Sequence, residues 1–146
     1  MADLTKIINI KVNLGTGKVT IDGLTSSIKN LDKASNDLSN TLIGKDAGLL
    51  LTDGFSNTFI GTEAGSSFTT GSAHTAVGYQ ALQTENNELG NSTAIGYQAL
   101  KNQNGPGITI FNTAVGGSAG PLITTGAGNT FLGYNAGFPL TTGDNN

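Results

Sequence analysis

The chain has 146 residues, with 22 Gly, 3 Pro, no Cys, no Trp, 12% charged residues and a net charge of −3 at pH 7. Gly at about twice its usual share, without Pro-richness or a three-residue period, excludes collagen, and the absence of Cys excludes disulfides and thiol chemistry. No basic stripe is present to release counterions from a phosphate backbone, so nucleic acid is not expected as a partner, and no apolar run approaches membrane-spanning length.

The N-terminal stretch Met1-Ala2-Asp3-Leu4-Thr5-Lys6 lacks the basic-then-apolar layout of a secretory signal. Export by phage release or another route, or origin as a fragment, is therefore expected if the protein works outside a cell. From Lys6 to Asn13 apolar and polar residues alternate with β-branched enrichment, which predicts a strand. Gly15-Thr16-Gly17-Lys18 reads as a turn and Val19-Thr20-Ile21 as a second strand, giving a hairpin. Leu24, Ile28, Leu31, Ser35, Leu38 and Leu42 then come at intervals of 4, 3, 4, 3 and 4, a heptad seam with one polar seat. That helix either packs on the hairpin or forms a coiled-coil neck. Residues 1–39 are thus expected to form an attachment or neck segment that caps the first strand of the remaining chain.

Residues 40–146 are organised by repetition. Six copies of a nine-residue motif read NTLIGKDAG (40–48), NTFIGTEAG (57–65), HTAVGYQAL (74–82), STAIGYQAL (92–100), NTAVGGSAG (112–120) and NTFLGYNAG (129–137), with starts 17, 17, 18, 20 and 17 residues apart. A second mark keeps phase with four of them: Thr52-Asp53-Gly54, Thr69-Thr70-Gly71, Thr124-Thr125-Gly126 and Thr141-Thr142-Gly143, each preceded by Leu51, Phe68, Ile123 or Leu140. A period near 17 is too short for a pair of helices and fits one coil of a β-solenoid. The expected fold is mainly β, a solenoid (β-roll) of about six coils.

Within the motif, Thr at position two and an aliphatic residue at position four share one side of a short strand, and position three faces the other way. The expectation is that position four (Ile60, Val77, Ile95, Val115, Leu132) fills the interior or the contact between chains, and that Phe59 and Phe131 at position three point outward. Apolar residues on both faces of a thin coil require a partner chain, so a homo-oligomer is expected, with Leu31 and Leu38 of the helical seam contributing. Asn at position one of four copies is expected to form a ladder, side-chain amides bonding along the stack.

Candidate chemistry is sparse. His74 stands where four copies carry Asn, so it reads as a ladder substitute, and no Ser/His/Asp set can be built around it. Asp46 and Glu63 share position seven, but stacked carboxylates repel, and Gln80, Gln98, Ser118 and Asn135 continue that column, which reads as a solvated face rather than a glycosidase pair. Gly15-Thr16-Gly17-Lys18 lacks the earlier Gly and the hydroxyl residue of a phosphate-binding loop. No Ca²⁺-loop spacing and no His/Cys cluster is present, so neither metal nor other cofactor is expected. Tyr79, Tyr97 and Tyr134 share position six; packing against a neighbouring subunit is the favoured reading, and a platform for a sugar ring the other. The irregular stretches 83–91 and 101–111 map to one face, as insertions in solenoids do. Surface recognition is therefore assigned to the three tyrosines with Glu85, Asn87, Asn102 and Asn104.

The copies N-T-A-V-G-Y-Q-A and N-T-F-I-G-T-E-A resemble the left-handed β-roll repeats in the heads of trimeric autotransporter adhesins. With the T-T-G mark, they are more similar still to the repeats of phage tail-fibre proteins that often precede a self-cleaving chaperone domain. The resemblance covers about residues 40–146 and implies three chains side by side, a homotrimer anchored to a virion or surface protein at its N-terminal end. It also implies binding to a host cell-surface glycan or protein rather than catalysis. Two other functions compete: a single-chain surface-binding solenoid of the ice-binding kind, using Thr41, Thr58, Thr75, Thr93, Thr113 and Thr130, and a capsule polysaccharide depolymerase. The expectation that these threonines face inward argues against the first. Asn146 falls 17 residues after Asn129, where a seventh copy begins, so a continuation or a docked partner is expected there.

Overall fold

The structure is a computed structural model that describes residues 10–13, 18–21, 39–85, 90–105, 107 and 110–146. The N-terminal hairpin is present as β1 (Ile10–Asn13) and β2 (Lys18–Ile21), paired antiparallel with Ile10 opposite Ile21 and Asn13 opposite Lys18. The expected helix, with Leu31 and Leu38, lies outside the described residues.

Each motif contributes one three-residue strand: β3 (Thr41–Ile43), β4 (Thr58–Ile60), β5 (Thr75–Val77), β6 (Thr93–Ile95), β7 (Thr113–Val115) and β8 (Thr130–Leu132). They form a single parallel sheet in chain order, each motif position pairing with the same position in the next coil: Thr41 with Thr58, Thr58 with Thr75, and so on to Thr113 with Thr130. The described residues between 40 and 146 therefore form a β-solenoid. The longer spacings at the third and fourth coils do not disturb this register, because the extra residues fall after the strand and its turn.

The faces of the strand are the reverse of the expectation. Position three is the inward position: Leu42, Phe59, Ala76, Ala94, Ala114 and Phe131 are all buried, with Phe59 fully inaccessible. Thr at position two and the aliphatic at position four lie on the outer face, where Ile60, Val77 and Val115 are half-buried and Ile43, Ile95 and Leu132 exposed. The alternation was legible but its polarity was not, because a column of Ile and Val looks more like a core than a column half composed of Ala.

The interior is filled by matching sizes between positions three and nine. In the third and fourth coils position three is Ala76 or Ala94 and position nine is the fully buried Leu82 or Leu100. In the first, second and sixth coils position three is Leu42, Phe59 or Phe131 and position nine is Gly48, Gly65 or Gly137. A Cβ on Gly65 would lie 2.5 Å from Phe59 Cε2, so the ring occupies that space. In the fifth coil both positions are small, Ala114 and Gly120, and the neighbouring coils close the gap: a Cβ on Gly120 would meet Phe131 at 2.6 Å and Leu100 at 2.9 Å. Close packing at native density requires such compensation within so narrow a cross-section. Ala at position eight and the apolar residues Leu51, Phe68 and Ile123 complete the core, with the Phe59 and Phe68 ring centroids 4.8 Å apart.

Glycine at position five is fixed by backbone approach. Gly61 has φ +133, a conformation closed to L side chains, and a Cβ there would sit 2.5 Å from the carbonyl oxygen of Gly78 in the next coil.

The position-one ladder exists in a side-chain-to-backbone form. Asn57 Oδ1 accepts from the backbone N–H of His74 (2.9 Å) while Asn57 Nδ2 donates to the carbonyl of Gly71 (2.7 Å). The backbone N–H of Asn57 in turn donates to Asn40 Oδ1 (2.8 Å), and Asn112 and Asn129 repeat the pattern in the fifth and sixth coils. Each side chain thus closes its own coil through a T-x-G glycine and links to the next coil, which explains why the two sequence marks share one phase. Asn57→Ala leaves the His74 N–H and the Gly71 carbonyl without these partners in a buried setting. A loss of about 2–3 kcal/mol is expected in urea unfolding, and a change within experimental error would remove the ladder from the account of stability.

Candidate recognition surface

After each strand the chain turns outward through positions six and seven. Position seven adopts a left-handed φ in every coil (Asp46 58°, Glu63 59°, Gln80 54°, Gln98 54°, Ser118 51°, Asn135 53°). Position six then forms a column on the surface: Lys45, Thr62, Tyr79, Tyr97, Gly117 and Tyr134. The Tyr79 and Tyr97 rings stack with centroids 5.4 Å apart and planes 20° from parallel, as expected of identical side chains one rung apart. Both are exposed, Tyr97 at 55%, and Tyr134 is 81% exposed. Because the chain has three tyrosines in all, every tyrosine lies in this column.

Beside it runs a hydrogen-bonded amide ladder. Gln98 Nε2 donates to Gln80 Oε1 (2.8 Å), and Gln80 Nε2 donates to Glu63 Oε2 (2.7 Å), which also accepts from Gln83 Nε2 (2.8 Å). Glu63 is therefore held by amides, and in the first coil Asp46 lies 3.9 Å from Lys45 Nζ. From the third to the sixth coil, positions six and seven carry no charge: Tyr79-Gln80, Tyr97-Gln98, Gly117-Ser118 and Tyr134-Asn135. Glycine at 117 was not singled out from the sequence, although its signal, a missing side chain within a tyrosine column, was there to be read.

Glu85 corrects the expectation of a surface role, because its side chain is fully buried. It occupies position twelve, the place held by Leu51, Phe68, Ile123 and Leu140 in the regular coils. Gln103 takes the same place in the fourth coil and is also fully buried. Gln103 Nε2 donates to Glu85 Oε2 and to Ser92 Oγ (2.7 Å), and Gln103 Oε1 accepts from Asn112 Nδ2 (2.7 Å). His74, buried at position one, accepts on Nδ1 from the backbone N–H of Ser92 (3.2 Å) and meets Phe68 edge-on at 4.8 Å. His74 is thus a rung of the ladder. The third and fourth coils exchange the standard Asn and apolar pair for a polar interior in which each replacement supports another, as buried polar groups require.

The other assigned residues do not gather at one place. Asn102 is half-buried, Asn104 is exposed with its backbone N–H donating to the Thr124 carbonyl (2.9 Å), and Asn87 lies outside the described residues. Among the described residues no group of three or more His, Asp and Glu side chains is placed to hold a metal ion.

The second surface feature is the outer face of the sheet. Thr41, Thr58, Thr75, Thr93, Thr113 and Thr130 form one row and Ile43, Ile60, Val77, Ile95, Val115 and Leu132 the next, all in register. At about 4.8 Å per rung these rows run roughly 24 Å along the solenoid. The chain matches no protein-family model, no curated protein and no solved structure.

Proposed function

We propose that the chain is a non-enzymatic structural and receptor-binding segment of a fibre, of the phage-tail or bacterial-surface-adhesin type, in which three copies wind side by side as left-handed β-rolls. The observation that carries this reading is the outer sheet face, an in-register row of Ile, Val and Leu beside a row of Thr, with Ile95 in the middle of the stack 39% exposed. A contiguous apolar row of that length marks an interaction surface, and a face repeated along the axis is suited to contact with the same face of another copy. In this reading Ile60, Val77, Ile95, Val115 and Leu132 meet between chains, and the N-terminal end faces a virion or surface protein. The tyrosine column remains for a host glycan or protein.

Static light scattering tests the assembly. A mass three times the 14.8 kDa of one chain is expected, falling to that of a single chain in the double variant Val77→Lys, Ile95→Lys, whose positions lie outside the coil interior. A monomeric parent chain removes the fibre reading.

One observation favours a second reading. The threonines face outward, against the expectation, so a regular Thr row is available to a surface such as ice. A monomer that shows thermal hysteresis establishes that alternative.

A further inference from the structure

The tyrosine column has a gap, and the gap is not imposed by the backbone. Gly117 replaces tyrosine between Tyr97 and Tyr134, yet its φ lies outside the left-handed region that favours glycine. An added Cβ would touch only the Tyr134 ring, at 3.5 Å, an ordinary contact. Neither chain conformation nor crowding explains the missing side chain. Its consequence is that the fifth coil has no position-six side chain to stack on the face of Tyr97 turned away from Tyr79.

We infer that Tyr97, Gly117 and Tyr134 form a slot for one neutral pyranose ring of a host glycan. Two rungs separate Tyr97 from Tyr134, about 9.6 Å, which is two stacking distances, so a ring inserted at the level of Gly117 lies one stacking distance from each tyrosine. The Tyr134 ring leans over Gly117, 3.5 Å from where a Cβ would stand, so the sugar enters by displacing this surface ring. Beside the slot, position seven supplies uncharged partners for sugar hydroxyls, namely Gln98, Ser118 and Asn135. The absence of charge at positions six and seven from the third to the sixth coil selects a neutral sugar over a sialylated or sulfated one.

This rests on the receptor-binding part of the proposed function and is independent of the number of chains. The chain has no Trp and its three tyrosines are all in the column, so tyrosine emission reports this surface alone. The full chain is titrated with neutral oligosaccharides of glucose, galactose, mannose and N-acetylglucosamine, and in parallel with sialylated and sulfated ones, monitoring tyrosine emission and heat. A saturable response to a neutral oligosaccharide is expected, weakened about tenfold in Tyr97→Ala and abolished in Gly117→Tyr, which fills the slot, with the circular dichroism spectrum and scattering mass of both variants unchanged. Silence with every neutral sugar, response to charged sugars only, or full affinity in Gly117→Tyr overturns the assignment. Loss of the oligomer in Tyr97→Ala overturns it too, by making the column a subunit contact. A monomeric parent that still binds sugar through the slot removes the trimer and leaves the slot standing.

Discussion

Gly65→Leu is expected to destabilise the solenoid by about 2–3 kcal/mol, and Phe59→Ala by about 3–4 kcal/mol, while the double variant loses far less than their sum. The first overfills the second coil, since a Cβ at residue 65 already lies 2.5 Å from the Phe59 ring. The left-handed backbone is not the obstacle, because Leu82 and Leu100 adopt φ 49 at the same position. The second empties the coil of a fully buried ring. Together they recreate the Ala-and-Leu pairing that the third and fourth coils use. A residual loss remains because the Phe59 contact with Phe68, at 4.8 Å, disappears. Urea unfolding of the four proteins in a double-mutant cycle should recover roughly 3 kcal/mol of coupling. Strict additivity would falsify size compensation as the packing rule of this core.

The second large effect is expected at position five. Gly61→Ala places a methyl 2.5 Å from the Gly78 carbonyl oxygen and 2.7 Å from its carbon, both backbone atoms of the adjacent coil, at φ +133. Backbone strain and steric conflict each cost about 1–3 kcal/mol, and a fixed rung spacing allows neither to relax. The combined loss is about 4 kcal/mol, against roughly nothing for Gly117→Ala, where the φ is ordinary and the nearest neighbour is an exposed ring at 3.5 Å. Comparing the unfolding midpoints of these two glycine variants separates glycine required by geometry from glycine that leaves a space. Equal losses would show that the distinction, and with it the case for a slot at Gly117, is unsound.

These contrasts indicate what the sequence discloses and what it hides. The period, the strand within each motif, the parallel stacking and the Asn ladder are all readable from spacing, because repetition transmits every local preference to the same place in each coil. The inward face was not. Strand alternation distinguishes two faces but not which is inside, and the usual guide, β-branched aliphatics in the core, fails where the cross-section is so narrow that Ala76 and Ala94 serve as interior residues opposite Leu82 and Leu100. Glu85 misled for a related reason. Its phase, eleven residues after His74, assigns it to the buried column of Leu51 and Phe68. Its charge and the irregular stretch around it suggested surface instead, and the hydrogen bond from Gln103 makes the buried carboxylate intelligible. The tyrosine column was legible as a column, whereas the stacking of Tyr79 on Tyr97 depends on geometry.

The uniform register has a mechanical consequence. Inter-coil bonds such as Gly61 N–H to the Ile43 carbonyl and Gly78 N–H to the Ile60 carbonyl join residues one rung apart along the solenoid axis. Tension applied along that axis loads the rungs in series, so the weakest interface yields first and its neighbours are still intact when it does. Each regular coil of 17 residues that peels away releases roughly 50–55 Å of slack. A thread that lengthens by such increments dissipates a sudden pull instead of transmitting it, a property suited to any tether that must hold a moving surface.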